Sequence, residues 1–318
     1  MQKHIWKIIW LFAVFMSLPA LSAAKTAADQ KFRGIEPFTR IISLYGAHTE
    51  NLFALGLDKE IIGVSQIEAH LPETLTKPVF TYHDDAEKFM GARPDLVLIR
   101  PMIAMAHGAF VTKLRKAGIT VVSIQPVNID EMYHYWKTLG TLTARENNAD
   151  EMIFSFQKAV GFVRSLIQPI PPEKRKRVYF EAIHEKMKTF SPGAIAIFAL
   201  TTAGGINITK DAKPRRNTNI ATYGKEQILA RSGEIDVYLA QKGRMNPTSV
   251  EIIRQEPGFH IIKAVKNGQI YLIDEVIVSR PGLRLVQGIF EIGKALYPDI
   301  FTAEVWEKLS SMSLINGK

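Results

Sequence analysis

Phenol, imidazole and guanidinium groups recur just beyond the apolar, strand-like runs of this chain. Tyr45 and His48 follow Arg40-Ile41-Ile42-Ser43-Leu44, Tyr82 and His83 follow Val79-Phe80, and Arg100 follows Leu96 to Ile99. In the later half Lys186 comes after Val178 to Ala182, Arg244 after Val237 to Ala240, and Arg280 beyond Gln269 to Ile273. Such groups suit an anionic metal chelate: arginines pair carboxylates or catecholates, and Tyr or His completes a metal shell. His48 and His83 are the candidate metal ligands, with Asp84 beside the second. Each has a plainer alternative. His48 can cap the following helix, His83 can be a surface imidazole beside Asp84, and Arg280 can bond loop carbonyls in the Arg280-Pro281-Gly282 turn. His70, before Leu71-Pro72, reads as a solvated turn residue, and Tyr133, Tyr135 and Trp136 read as packing.

A second kind of chemistry is a matched pair of acids. Asp85-Ala86-Glu87-Lys88-Phe89-Met90-Gly91-Ala92-Arg93-Pro94-Asp95-Leu96 has a partner in Gly224-Lys225-Glu226-Gln227-Ile228-Leu229-Ala230-Arg231-Ser232-Gly233-Glu234-Ile235. Each copy puts a Glu at the head of a two-turn amphipathic helix, then a breaker, an acid eight residues on (Asp95, Glu234), and a strand. Acids favour helix N-termini through the macrodipole, and any α/β protein repeats helix–turn–strand units. Glu87 and Glu226 therefore read either as such acids or as matched contact points on two similar halves.

The elements that must position these residues alternate. Strands are expected at 41–44, 61–64, 79–80, 96–99 and 121–124, with helices over 49–57 and 104–117. Near-continuous apolar strands separated by helices predict a parallel sheet covered on both faces. From Ile129 to Gln168 the pattern becomes helical, with an interruption around Ala144 to Ala149 and one apolar face from Ile153, Phe156, Val160, Val163 and Ile167. A helix of that length spans about 30 Å, enough to cross between two lobes. The alternation then resumes, with strands at 178–182, 237–240 and 269–273 and helices over 194–202, 225–231, 248–254 and 283–296. The expected fold is α/β: two Rossmann-like lobes with parallel sheets (35–126 and 173–306) joined by one long helix within 127–172. In open α/β sheets ligands bind beyond the carboxyl ends of the strands, where the aromatic and cationic residues above fall.

The N-terminus bears on compartment. Lys3 and Lys7 precede an apolar run from Ile8 to Phe15, followed by small residues up to Ala24, the pattern of a signal peptide over 1–24. The run is short for a membrane-spanning helix. With no cysteine there is neither a lipid-modified Cys nor a disulfide framework. A soluble, periplasmic protein of roughly 290 residues is expected, beginning near Lys25, and that length suits two domains. Its formal charge is +7, the full chain's +9 less two lysines. Export and the lack of aromatic–basic interleaving argue against nucleic acid. No nucleophile elbow, P-loop or dinucleotide glycine fingerprint follows a strand, and His184-Glu185 lacks the second His of a zinc-protease motif. The expectation is therefore not an enzyme, with no resident cofactor. A bare-ion carrier is a rival, with His48, His83 and Asp84 as its nucleus.

These residues identify a resemblance. From about Arg40 to Pro298 the chain resembles the periplasmic substrate-binding proteins of ABC importers for iron–siderophore complexes, cobalamin and haem. The resemblance rests on Arg40-Ile41-Ile42-Ser43-Leu44 with Thr49-Glu50-Asn51-Leu52-Phe53-Ala54-Leu55-Gly56, on Arg93-Pro94-Asp95-Leu96-Val97-Leu98, and on Ala203-Gly204-Gly205-Ile206-Asn207-Ile208. Its longest block is Val265-Lys266-Asn267-Gly268-Gln269-Ile270-Tyr271-Leu272-Ile273-Asp274, followed by Ser279-Arg280-Pro281-Gly282-Leu283-Arg284. It implies a small hinge motion, a monomer, and an ABC permease and ATPase complex as partner, met by Glu87 and Glu226. The implied ligand is a small-molecule metal chelate, most simply an anionic ferric siderophore, with cobalamin or haem as the alternatives. Many relatives carry a Ser-Pro-Ser/Ala-type sequence where this chain has Tyr45-Gly46-Ala47-His48, so ligand contacts there do not transfer directly.

Overall fold

Short, fully apolar segments such as Leu96-Val97-Leu98-Ile99 can be buried on both faces only inside a sheet covered by helices. In a computed structural model that describes residues 36–66, 68, 70–214 and 218–313, they do so in two sheets. The signal-peptide reading lies outside the described residues.

In the first half the order is β1 (Ile41–Ser43), α1 (Gly46–Ala54), β2 (Ile61–Val64), α2 (Ala86–Ala92), β3 (Leu96–Ile99), α3 (Pro101–Ala106), α4 (Gly108–Lys116) and β4 (Thr120–Ser123). The four strands run parallel in the order β2-β1-β3-β4. Ile42, Val97, Phe89, Val111 and Leu114 belong to its buried core. Two expectations change here. Val79-Phe80 makes a single bridge, Val79 to Val64, and no strand. The helix expected over 104–117 is two helices that meet at His107, whose φ of −126° and ψ of 44° are not helical.

The middle of the chain is a helical hairpin, α5 (Ile129–Thr143) and α6 (Glu146–Ile167). Asn128 caps α5 by accepting from the Glu131 N–H at 2.9 Å, and the Glu131 carboxylate reaches back to the Val127 N–H, a reciprocal capping pattern. The expected interruption is real: Ala144 takes φ 51° and ends α5. The chain reverses there because Gly140 lets the helices close; a Cβ would stand 2.9 Å from Ala149 Cβ and 3.1 Å from Arg145 O. The long joining helix is α6, whose 22 residues extend for about 33 Å. α5 bonds the first half, with Leu142 O accepting from Phe38 N.

In the second half come β5 (Arg177–Ile183), β6 (Lys188–Phe190), α7 (Ile195–Thr202), β7 (Ile206–Asn207), β8 (Ile220–Thr222), α8 (Lys225–Ala230) and β9 (Val237–Lys242). After them come α9 (Val250–Gln255), α10 (Lys263–Lys266), β10 (Ile270–Asp274), α11 (Glu275–Val278), α12 (Leu285–Leu296) and α13 (Ala303–Met312). The sheet order is β10-β9-β5-β6-β8, with β7 beside β5. β5, β7, β9 and β10 run parallel, but β6 and β8 pair antiparallel, so this sheet is mixed at one side. α6 packs on α7, α12 and α13, and Phe156 of α6 stacks on Phe198 of α7 at 6.3 Å. From Glu36 onward contacts join both sheets and the hairpin into one compact unit.

The sequence repeat has a structural counterpart, with one change of partner. Asp95 stands just before β3 and accepts from Thr39 N at 2.8 Å and Arg40 N at 3.0 Å, at the start of the neighbouring β1. Asp236 stands just before β9 and accepts from Arg177 N at 2.9 Å, at the start of the neighbouring β5. The equivalent of Asp95 is therefore Asp236 and not Glu234, which pairs with the Arg177 guanidinium instead.

Candidate functional site

The carboxyl ends of β1 and β3 bring Tyr45 and Arg100 together. The Arg100 guanidinium carbon lies 4.7 Å from the centre of the Tyr45 ring, and Arg100 Nε donates to Gln125 Oε1 at 3.0 Å. Pro101 at the first position of α3 holds Arg100 extended, with φ −86° and ψ 153°. Burial raises the Tyr45 phenol, against the pull of the Arg100 and Arg280 charges, so the hydroxyl is neutral at physiological pH and serves as hydrogen-bond donor or acceptor.

His48 is placed differently from the expectation. It is completely buried, Nδ1 lies 2.7 Å from the Tyr135 hydroxyl, and Nε2 lies 3.4 Å from Ile99 O. Burial, reinforced by the Arg100 charge, pushes its pKa down to about 3 against one hydrogen bond that raises it. A neutral imidazole with both nitrogens facing protein partners ties α1 to β3 and α5. It is a packing residue, and the reading of His48 as a metal or ligand contact is corrected here.

Tyr82 and His83 form a cluster with His107, which the sequence reading did not single out. Ring centres are 4.3 Å apart for Tyr82–His83, 4.8 Å for Tyr82–His107 and 5.5 Å for His83–His107. The available signal was His107-Gly108 inside a helical pattern, a glycine that breaks the run. Asp84 is turned to other work: its Oδ2 accepts from Thr81 N and from Lys88 Nζ, both at 2.8 Å.

In the second half Lys186 and Arg244 are exposed on the loops after β5 and β9, without an ion-pair partner among the described residues. Met187, with φ 44°, makes the tight turn beside Lys186. The Arg244 loop is anchored by Glu275, whose Oε2 accepts from Met245 N at 2.9 Å. Beneath both loops is a buried network that sequence reading missed. Glu181, fully buried, accepts from Tyr238 Oη and from Asn246 Nδ2, and meets His184 Nδ1 at 2.8 Å. Burial pulls the His184 pKa down, but the bond and charge of Glu181, with the charge of Glu256, outweigh it and raise the pKa.

Arg280 is the other correction. Its Nη1 pairs with Glu50 and, at 3.0 Å, with Glu68 Oε1, and the side chain is 14% exposed. His70 is an exposed turn residue, as expected, whose Nε2 also lies 3.1 Å from Glu50 Oε1. Beside this clasp Asn51 Nδ2 and Trp136 Nε1 donate to Pro281 O at 2.8 and 3.3 Å. Arg280 thus fastens the second half to α1 through buried carboxylates. Gly46 makes room for it, since a Cβ there would collide with Glu68 Oε1 and Arg280 Nη1; the departure at Tyr45-Gly46 has this steric consequence. Donor atoms of Glu50, Glu68 and His70 lie within 4.8 Å of one another, but Arg280 already supplies their counter-charge.

Glu87 and Glu226 both lie exposed in the first turns of α2 and α8, with no ion-pair partner among the described residues. Two depressions of about 470 and 410 Å³ lie elsewhere, along α6 around Gly161 and Arg164. Among the described residues no helix is long and apolar enough to cross a membrane.

Comparison with known proteins agrees with this architecture. An uncharacterized ABC transporter substrate-binding lipoprotein of Bacillus subtilis, YvrC, is 25% identical over 272 residues, covering 82% of this chain and 81% of its own. A vitamin B12-binding protein of Vibrio cholerae is 24% identical over 260 residues, 80% of this chain and 88% of its own. The crystal structure of a possible iron-binding (periplasmic solute-binding) protein from Staphylococcus epidermidis superposes with a TM-score of 0.71 at 27% identity, covering 82% of this chain and all of that one. The periplasmic binding protein family matches residues 41–277, which hold both sheets and the helical hairpin, and the chain belongs to that family.

Proposed function

We propose that this protein is the periplasmic receptor of an ABC importer and that its cargo is a metal chelate, in first place an anionic ferric siderophore. The observation that carries the reading is the set of cationic and phenolic groups at the strand ends of both sheets: Tyr45 with Arg100 in the first half, Lys186 and Arg244 in the second. Each charge-assisted bond to an anionic cargo contributes roughly 1.5–3 kcal/mol. Replacing Arg100 or Arg244 by Ala then weakens binding about tenfold to a hundredfold, because 1.4 kcal/mol is a factor of ten. Titration of the variants with a ferric catecholate or hydroxycarboxylate chelate reads this directly. Parent-like affinity in both variants overturns the anionic reading.

A cobalamin or haem cargo is the second reading. It is favoured by Met102, Met105 and Met245, which are 48%, 76% and 46% exposed near the same strand ends, and, for the neutral corrinoid, by the neutralisation of Arg280 by Glu50 and Glu68. A B12-binding relative adds weight to it. A neutral corrinoid depends on apolar contact and barely responds to the arginine changes. Native mass spectrometry of protein taken from its own periplasm weighs whichever molecule is bound.

A further inference from the structure

Among the imidazoles at the strand ends, His83 and His107 stand apart. His48 is buried between Tyr135 and Ile99, His70 pairs with Glu50, and His184 is held by Glu181. The rings of His83 and His107 have no hydrogen-bond or ion-pair partner among the described residues, and their centres are 5.5 Å apart at an interplanar angle of 85°. One ring is exposed and the other half-buried. The Tyr82 ring packs against both and limits how far they can separate.

We infer that His83 and His107 form a two-imidazole site for a first-row transition-metal ion of the borderline class, such as Cu2+ or Ni2+. The spacing fits. A metal–nitrogen bond of about 2.0–2.1 Å, plus about 1.2 Å from nitrogen to ring centre, puts each ring centre about 3.2 Å from a shared ion. Two such rings are then about 4.5 Å apart when cis and about 6.4 Å when trans, and 5.5 Å lies between these limits. Imidazole nitrogen suits Cu, Ni and Zn better than the harder ions. His83 reaches its final geometry by side-chain rotation in solvent, at the small cost of moving between staggered wells. With Asp84 occupied by Thr81 N and Lys88, the protein supplies two nitrogens and leaves the remaining positions to water or to ligands of an incoming chelate. Bringing the α3–α4 junction to the turn that holds His83, before α2, takes the break at His107, because a continuous helix over 104–117 would carry that residue along its regular turn. The inference concerns the ion alone and stands whether the cargo is a siderophore or a corrinoid.

The test uses the untagged, chelator-stripped full chain titrated with CuCl2 and with NiCl2. One ion per chain is expected, and the electron paramagnetic resonance spectrum of the Cu2+ form should show hyperfine splitting from two nitrogens. His83→Gln and His107→Gln should each weaken Cu2+ binding at least tenfold and reduce the splitting to one nitrogen, whereas exposed His260→Gln should bind like the parent. Because a surface variant can still perturb folding, Cu2+-induced broadening of assigned imidazole resonances in the parent gives a second readout, and it should fall first on His83 and His107. A double His83→Gln/His107→Gln variant that keeps parent affinity overturns the assignment. Broadening centred on His70, or a loss of binding on Glu68→Gln with His83→Gln silent, overturns it as well and locates the ion at the Glu50–Glu68–His70 cluster.

Discussion

Two buried histidines show how neighbouring atoms set opposite pH dependences from one side-chain type. His48 is held neutral in an apolar setting, its pKa lowered from 6.5 to about 3. The unfolded chain binds a proton there that the folded chain refuses, so the contribution of His48 is full above about pH 6.5. It declines by about 1.4 kcal/mol per pH unit as the pH falls from there toward 3. His184 has the opposite sign. Its raised pKa makes the Glu181 pairing stabilising at low pH, and that stabilisation is lost as the pH rises through the folded value. Denaturant unfolding of His48→Asn between pH 7 and pH 4.5 should show a lower plateau and a flatter acid limb than the parent. An acid limb of unchanged slope would assign the pH response to other groups.

At the scale of elements, the two halves start their central strands by the same device. Asp95 and Asp236 each stand before one parallel strand and accept backbone N–H groups at the start of its neighbour. Parallel strands in these halves are separated in sequence by whole helices, so register cannot be set by a tight hairpin turn; a carboxylate that bonds across the strand ends does it instead. The Asp236 carboxyl is held below the usual carboxylate range: burial opposes this, but Lys263 and the Arg177 N–H outweigh it. Hydrogen bonds to a charged acceptor contribute about 1.5–3 kcal/mol each. Asp95→Ala and Asp236→Ala should each destabilise by about 1–3 kcal/mol in urea titration, the second while leaving the first sheet's amide exchange protected. Equal loss of protection in both sheets from either variant would mean that register is not set locally.

Across the whole molecule the interest lies in what joins the halves and what they present outward. Arg280 from the second half sits on Glu50 and Glu68 of the first, all three side chains largely buried. Removing one partner of such a cluster strands uncompensated charge, at a cost of about 3–5 kcal/mol. Arg280→Ala should therefore lower stability by that order in denaturant unfolding, and an Arg280→Ala/Glu50→Gln/Glu68→Gln triple variant should recover part of it. If the single variant is as stable as the parent, the clasp contributes nothing to holding the halves. Glu87 and Glu226, one on each half, are the surface expected to meet a permease. Rim charges act mainly on encounter and orientation, so Glu87→Ala or Glu226→Ala should leave cargo affinity unchanged while reducing uptake through the importer several-fold. A large loss of cargo binding in a folded variant would place that acid in the cleft and not on the docking surface.

Periodicity and breakers in the sequence were enough to give the α/β class, most strand positions and the interruption near Ala144. Apolar runs and the 3.6-residue pattern are local properties, written residue by residue. The repeat was legible too, although only strand pairing showed that Asp236 and not Glu234 answers Asp95. The antiparallel β6 and β8 escaped because Lys188-Thr189-Phe190 and Ile220-Ala221-Thr222 mix polar and apolar residues, whereas the equally short β1 lies in an apolar run. The candidate site was legible as a region, the strand ends, but not in the roles of its members. His48 and Arg280 read from sequence as available groups, and both are consumed by partners distant along the chain, Tyr135 and Ile99 for one, Glu50 and Glu68 for the other. Conversely, His107 gained interest only when a helix break brought it to His83. Whether a polar side chain is free or already bonded depends on groups tens to hundreds of residues away, and only the tertiary structure brings those within hydrogen-bond distance.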